Sequence, residues 1–187
     1  MHILGYDMPR LHAALNDFPA ALLVVAVLFD LGAWITKRGS LKTAALWTLW
    51  AGVIGGWAAV IAGELAEDVI EHGEAIHELM EKHETLALVT MGVFTVVLGV
   101  QLLRRARLTA LEQNVLRGLS VVGLVLVVWT GRVGGQMMFE HAAGIPAATM
   151  RVEMEDREHS HEHHEGAAAA VDDTGHAHAP GTPRHRH

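Results

Sequence analysis

The chain has no cysteine and a single tyrosine, and its acidic residues outnumber its basic ones. Without cysteine it has no disulfides, thiolate metal sites, c-type haem attachment or thiolate-held iron–sulfur clusters. Its formal net charge is −7, and basic residues cluster only in short loops, which argues against a nucleic-acid partner. No glycine-rich nucleotide-binding pattern or nucleophile elbow is present. The missing residue types and motifs therefore exclude several large classes of enzyme and binding protein.

The chain is rich in long apolar stretches, and 51% of its residues are hydrophobic. A helix that crosses a bilayer core needs about 17–25 predominantly apolar residues, and four stretches are that long. They show almost no polar face at the helical period, which a soluble bundle would need. We therefore predict an all-α fold in which residues 1–150 form a four-helix transmembrane bundle. The predicted spans are 18–36, 44–63, 85–103 and 118–139.

The charged loops predict the orientation of this bundle. Loops 37–43 and 104–117 are basic, whereas the 64–84 loop holds eight acidic residues and one lysine. The positive-inside rule places both basic loops in the cytoplasm. We therefore expect a multi-pass protein of the bacterial inner membrane, in contact with the lipid bilayer, with both termini in the periplasm. The histidines then all lie on the periplasmic side.

The segment 63–85 carries the densest cluster of potential ligands, and we predict that it forms a short exoplasmic helix rich in acidic residues and histidine. On a continuous helix, Glu64, Asp68 and His72 follow one another at i, i+4 on one face. His83 lies three turns beyond His72 and returns to nearly the same face. The spacing predicts a stripe of carboxylate and imidazole ligands.

Two charged residues lie inside predicted spans, Asp30 in the first and Arg132 in the fourth. An ion inside a membrane needs a partner or water, so both side chains should face the bundle interior. Their estimated depths differ, so a direct Asp30–Arg132 pair is not expected. Arg132 lies near the outer surface and can extend toward Glu64, Asp68 or Glu140.

The residues after Met150 differ in character from the rest. Segment 151–187 is polar, has no aromatic residue and contains eight histidines. Such a segment cannot bury enough apolar area to offset the entropy of ordering, so we predict a disordered tail. Histidine-rich tracts bind divalent metals adaptably, and this one could collect them.

Three pieces of the chain resemble the DUF2231 family of predicted bacterial membrane proteins. The first is His12 followed by DFPAALLVVAVLFDLG, and the second is His83 in KHETLALVTMGVF. The third and most specific is the glycine-rich exit of the last helix, GGQMMFEHAAGIP, which contains His141. The resemblance covers roughly residues 10–146 and implies a membrane fold. The family name implies no particular activity.

A first functional hypothesis is a b-type haem at the outer end of the bundle. A bis-imidazole haem needs two neutral histidines from different helices. His83 and His141 form the first candidate pair, and His12 and His72 form an alternative or second pair. Arg132, below this layer, could meet a haem propionate. Such a site implies a redox role, with a periplasmic redox partner or a larger membrane complex.

A second hypothesis is a transition-metal site without haem. Mixed carboxylate and imidazole ligands suit Zn or non-haem Fe, and methionines near the same boundary would suit Cu. The methionines are Met80, Met137 and Met138. The candidate ligands are Glu64, Asp68, His72, His83 and His141, with His12 as a further imidazole.

A third hypothesis is a non-catalytic role, as an accessory or scaffold subunit of a larger membrane complex. No arrangement of general acid, general base and nucleophile is recognisable in the sequence. The sequence alone therefore leaves open whether the protein is an enzyme, a carrier or a scaffold.

Overall fold

A computed structural model of the protein describes three parts of the chain and contains four long helices. The described residues are 7–67, 74–104 and 107–158. The helices are α1 Met8–Thr36, α2 Gly39–Glu67, α3 Glu74–Arg104 and α4 Ala110–His141.

Local sequence signals set several of the helix ends. Asp7 caps α1, where its side chain accepts a hydrogen bond from the backbone N–H of Arg10, and Pro9 stands in the first turn. Thr109 and Glu112 form a reciprocal capping box at the start of α4. These side chains satisfy backbone donors that a helix N-terminus otherwise leaves without partners.

The helices form two antiparallel hairpins, α1–α2 and α3–α4. Only Lys37 and Arg38 separate α1 from α2, and Lys37 ends α1 in the left-handed conformation with φ of 59°. Each hairpin is packed more extensively within itself than against the other hairpin. Between hairpins, α2 contacts α3 and α1 contacts α4. The indole N–H of Trp57 on α2 also donates to the hydroxyl of Thr95 on α3, at 3.0 Å.

The core draws on all four helices and depends on close approach at small residues. Phe94 and Val97 of α3 are completely buried among apolar side chains of α1, α2 and α4. Gly123 of α4 lies directly against the Phe94 ring, and Gly52 of α2 lies directly against Leu23. Small residues let helices approach closely where lipid provides little hydrophobic drive between them.

The outer surface of the bundle is strongly apolar. Leu103 and Phe139 are each 88% exposed, and many other large apolar side chains face outward. All four helices are long and apolar enough to cross a membrane. Apolar surface of this extent is stable against lipid rather than water. The prediction of an all-α bundle with four candidate membrane spans is confirmed.

The helices extend beyond the predicted spans, and the described parts of the acidic segment therefore belong to two different helices. Within the described residues this segment is not a separate helix: 64–67 are the last turn of α2, and 74–84 are the first turns of α3. The two parts lie on different helices, so the angles computed for one continuous helix do not apply. Residues 68–73 lie outside the described part.

A further helix covers residues 147–158 and includes the first residues of the predicted tail. It belongs to a second unit that begins at Ile145. The prediction of disorder for the rest of the tail falls on 159–187, which lie outside the described residues.

Asp30 has a basic partner on another helix. Arg117 of α4 donates from Nε to the Asp30 carboxylate at 3.0 Å, and both side chains are largely buried, at 14% and 24% exposure. Arg117 also donates to Asn114 at 2.8 Å. We assigned Arg117 to a loop, but it lies two turns inside α4, at a level where it meets Asp30.

The contact between Gly123 and Phe94 predicts a size limit in the core. A Cβ at position 123 would lie 2.8 Å from the Phe94 ring, so Gly123→Ala should lower the free energy of unfolding by about 1–3 kcal/mol. Thermal or denaturant unfolding in detergent micelles measures this. Gly118→Ala, on the same helix with open space around it, is the control and should not destabilise the protein. Equal stability of the two variants would contradict the packing described here.

Candidate functional site

His12 is held on α1 by a hydrogen bond to α2. Its Nδ1 lies 2.8 Å from the backbone oxygen of Ala59. A carbonyl oxygen only accepts hydrogen bonds, so Nδ1 carries the proton, and in the neutral ring Nε2 keeps its lone pair. Gly63, one turn after Ala59, provides the space for the ring, because a Cβ there would lie 3.0 Å from Cε1 of His12.

His83 is held in the same way in the second hairpin. Its Nδ1 lies 3.1 Å from the backbone oxygen of Thr130 on α4. Gly134, one turn after Thr130, again provides the space, since a Cβ there would lie 3.1 Å from Cε1 of His83. His83 therefore also has a protonated Nδ1 and a free Nε2 when neutral.

The two imidazoles lie next to each other, although they belong to different hairpins. Their ring centroids are 6.3 Å apart and their planes are nearly perpendicular, at 88°. Both rings are partly buried. The structure thus brings together two imidazoles from different helices, each oriented by a backbone carbonyl.

The two hairpins repeat this arrangement with a constant sequence offset. His12 and Ala59 are 47 residues apart, and so are His83 and Thr130. The offset from one set to the other is 71 residues for the histidine (83 − 12), and the two glycines have the same offset (134 − 63). The hairpins are therefore two copies of one structural unit, of the parallel-repeat kind found in membrane proteins.

A cavity of about 160 Å³ adjoins the paired rings. All four helices contribute to its wall, which is mostly apolar and small, with Thr90 and Thr130 as hydroxyl-bearing members. Three methionines, Met80, Met91 and Met137, also line it, and so does Glu64.

The predicted site residues are not all at this cavity. Glu64 lines it. His141 lies exposed in the last turn of α4 and does not line the cavity, and Arg132 is exposed on α4 outside the lining. Asp68 and His72 lie outside the described residues. The structure therefore pairs His83 with His12, whereas the sequence analysis considered the pair with His141 first.

A metal site with three or more protein ligands is not formed by the described residues. In 7–67, 74–104 and 107–158, no three histidine, aspartate or glutamate side chains are grouped so that they could hold an ion. The carboxylate-rich ligand set therefore stays a prediction that depends on Asp68 and His72.

The sequence analysis did not identify Ala59, Thr130, Gly63 and Gly134 as the residues that orient the rings. A backbone carbonyl carries no side-chain signal, so Ala59 and Thr130 could not be found from residue type. The internal repeat could have revealed them, because a histidine and a glycine 51 residues later (63 − 12 and 134 − 83) occur in both halves.

The four apolar helices define a membrane protein, and the imidazole pair between its two hairpins is a candidate site inside one end of the bundle. The chain belongs to the DUF2231 family, described as predicted membrane proteins, which matches residues 9–147. The resemblance found from the sequence is confirmed, and the matched range contains both His12 and His83. No curated protein and no solved structure matches the chain.

The carbonyl contacts predict the tautomers of both rings. At a pH where the rings are neutral and without added cofactor, His12 and His83 should have Nδ1–H and an unprotonated Nε2. Nitrogen NMR of ¹⁵N-histidine-labelled protein distinguishes the tautomers, and His12→Gln and His83→Gln assign the signals. The exposed His141 is the control and should show the tautomer mixture of a solvated imidazole. Protonation on Nε2 in either ring would contradict the hydrogen bonds.

Proposed function

We propose that the protein binds haem b between His12 and His83 and serves in electron transfer. The observation that carries this proposal is the geometry of the two rings. Each imidazole donates through Nδ1 to a backbone carbonyl, at 2.8 Å and 3.1 Å, and keeps Nε2 for a ligand. A hydrogen bond of this kind fixes the tautomer and orientation of a histidine that binds a metal.

The number of ligands favours haem over a bare divalent ion. A structural zinc ion needs four ligands and a catalytic one needs three from the protein. Haem brings the porphyrin nitrogens with it and needs only one or two axial side chains. Two imidazoles, which form no group of three with other histidine, aspartate or glutamate side chains among the described residues, match the haem requirement.

The ring spacing also suits one metal centre between the histidines. An ion bound at about 2 Å to a nitrogen of each ring would place the ring centres roughly 6 Å apart. The observed centroid separation is 6.3 Å. The site lies where the two hairpins meet, and the packing between hairpins is less extensive than that within each one.

A copper site is the second candidate, and the thioethers at the cavity favour it. Met80, Met91 and Met137 line the same cavity as the two imidazoles. Imidazole and thioether are the side chains that suit copper, thioether especially Cu(I). The haem site and the copper site would both use His12 and His83 as ligands, and only the copper site would also use the methionines.

The absorption spectrum separates these functions. Protein purified from membranes should show the Soret band and reduced α-band of a b-type haem. His12→Ala and His83→Ala should each lose most of the haem, because each variant removes one of the two imidazoles that would hold it. His77→Ala and His141→Ala are the matched controls: both replace exposed histidines outside the cavity and should keep the spectrum.

Two other results would change the assignment. Colourless protein with one copper per chain, lost in the same two variants and in Met80→Leu, would favour the copper site. Colourless protein without bound metal would contradict both proposals and favour an accessory subunit. Haem retained at full occupancy in His12→Ala and His83→Ala would also overturn the assignment of the ligands.

We further propose that the histidine end of the bundle faces the periplasm and that both termini lie there. The basic turn between α1 and α2 is at the opposite end from His12, and the positive-inside rule places basic loops in the cytoplasm. An outward-facing haem would be reached by periplasmic electron carriers or by a larger membrane complex.

Cysteine labelling tests this orientation without interference, because the chain has no cysteine of its own. A membrane-impermeant maleimide applied to intact spheroplasts should label Ala75→Cys and should not label Arg107→Cys until the membrane is opened. The reverse pattern would place the histidine pair on the cytoplasmic side and contradict the proposed orientation.

A further inference from the structure

A second cavity lies at the opposite end of the bundle from His12 and His83. Its volume is about 820 Å³, within the range of about 300–1,000 Å³ typical of ligand sites. It is formed by the end of α1, the turn to α2, the start of α2 and neighbouring parts of α3 and α4. From His12 to Lys37 along α1 the distance is about 37 Å at 1.5 Å per residue, so the two cavities are separate.

This cavity is basic. Its wall contains Lys37, Arg38, Lys42 and Arg117, with Asp30 as its one acidic member. Asp30 is already paired with Arg117. Lys37, Arg38 and Lys42 are exposed, and within the described chain they form no ion pair with a carboxylate. Among the described residues, three positive charges at this cavity are therefore available for an anion.

The rest of the wall is aromatic and apolar. Trp34, Trp47 and Trp50 line the cavity and are each exposed on the bundle surface. The Trp34 ring also lies beneath Lys37 Nζ at 5.9 Å and Arg117 Cζ at 5.2 Å. Tryptophan is enriched where hydrocarbon meets the lipid headgroups. The basic groups thus lie at headgroup level, next to surface that suits acyl chains.

The backbone at Lys37 adds an independent observation. A helix that ends in the left-handed region usually has glycine there, because other residues are strained at positive φ. Here that position, with φ of 59°, holds a lysine. A strained non-glycine residue is a reason to look for a function of its side chain. Lys37 lines the cavity, so its positive charge lies where an anion would bind.

We propose that this cavity binds the phosphate headgroup of an anionic phospholipid. Lysine and arginine recognise the phosphate charge, and the tryptophan and leucine side chains contact the lipid's apolar part. A soluble phosphate would use the same cations and would gain nothing from the apolar wall. This site is independent of the proposed haem site, since the two cavities share no residue.

Lipid binding to the full-length protein tests this proposal. Delipidated protein in non-ionic detergent is mixed with equal amounts of phosphatidylglycerol and phosphatidylcholine, and native mass spectrometry counts the lipid retained. We expect one phosphatidylglycerol per chain in preference to phosphatidylcholine. The double variant Lys37→Gly/Lys42→Gln should bind it about tenfold or more weakly, because two cations are lost.

The matched control is Arg104→Gln/Arg107→Gln. It removes two positive charges at the same end of the bundle from residues that do not line the cavity, and it should bind phosphatidylglycerol like the wild type. If the first double variant does not fold, Lys42→Gln alone, on an exposed helix surface, should weaken binding in the same direction. Equal retention of both lipids, equal loss in both double variants, or displacement of the lipid by millimolar inorganic phosphate would overturn the proposal.

Discussion

The hydrogen bond from a ring Nδ1 to a backbone carbonyl of the neighbouring helix is the interaction on which the site depends. Within an apolar bundle a polar N–H without a partner is costly, so this bond restrains the rotation of each imidazole. It forms because Gly63 and Gly134 leave space beside the rings. A Cβ at either glycine would lie 3.0–3.1 Å from Cε1 of the ring, so the ring would have to shift. The same bond leaves Nε2 as the free ligand atom.

The repeated hairpin explains why the same geometry occurs twice. Two copies of one unit, packed side by side, place equivalent histidines at their shared boundary. The repeat is not complete, because at the same offset of 71 residues Lys37 corresponds to Leu108 and Lys42 to Gln113. The histidine end is therefore a shared feature of both copies, whereas the lysines of the other end belong to the first copy. The bundle therefore has one site to which both copies contribute equivalent residues and one site that depends on residues of the first copy.

Much of the fold could be predicted, because membrane helices have a strong composition signal. The length of the apolar stretches and the positions of the basic loops were sufficient to predict the four helices. The predicted span 18–36 ends at the residue where α1 ends. The polar first turns of α1 and α3 were missed, since hydropathy marks the part in lipid rather than the full helix. The partner of Asp30 was missed for the same reason, because Arg117 was assigned to a loop.

The site could be predicted only in part. Histidines His12 and His83 were candidates, but their pairing depends on which helices adjoin, and helical periodicity within one segment contains no such information. Treating the acidic segment as one helix gave a ligand stripe whose described parts lie on two helices. The carbonyls of Ala59 and Thr130 are set by tertiary packing alone, and the internal repeat was the available signal for them.

An experimental density map of the protein purified from membranes without added cofactor tests the central claim most directly. The account predicts density for one cofactor bonded to Nε2 of both His12 and His83, with each Nδ1 within hydrogen-bonding distance of its carbonyl. Rings too far apart to bind one cofactor, or rings that turn Nε2 toward the carbonyls of Ala59 and Thr130, would contradict this prediction.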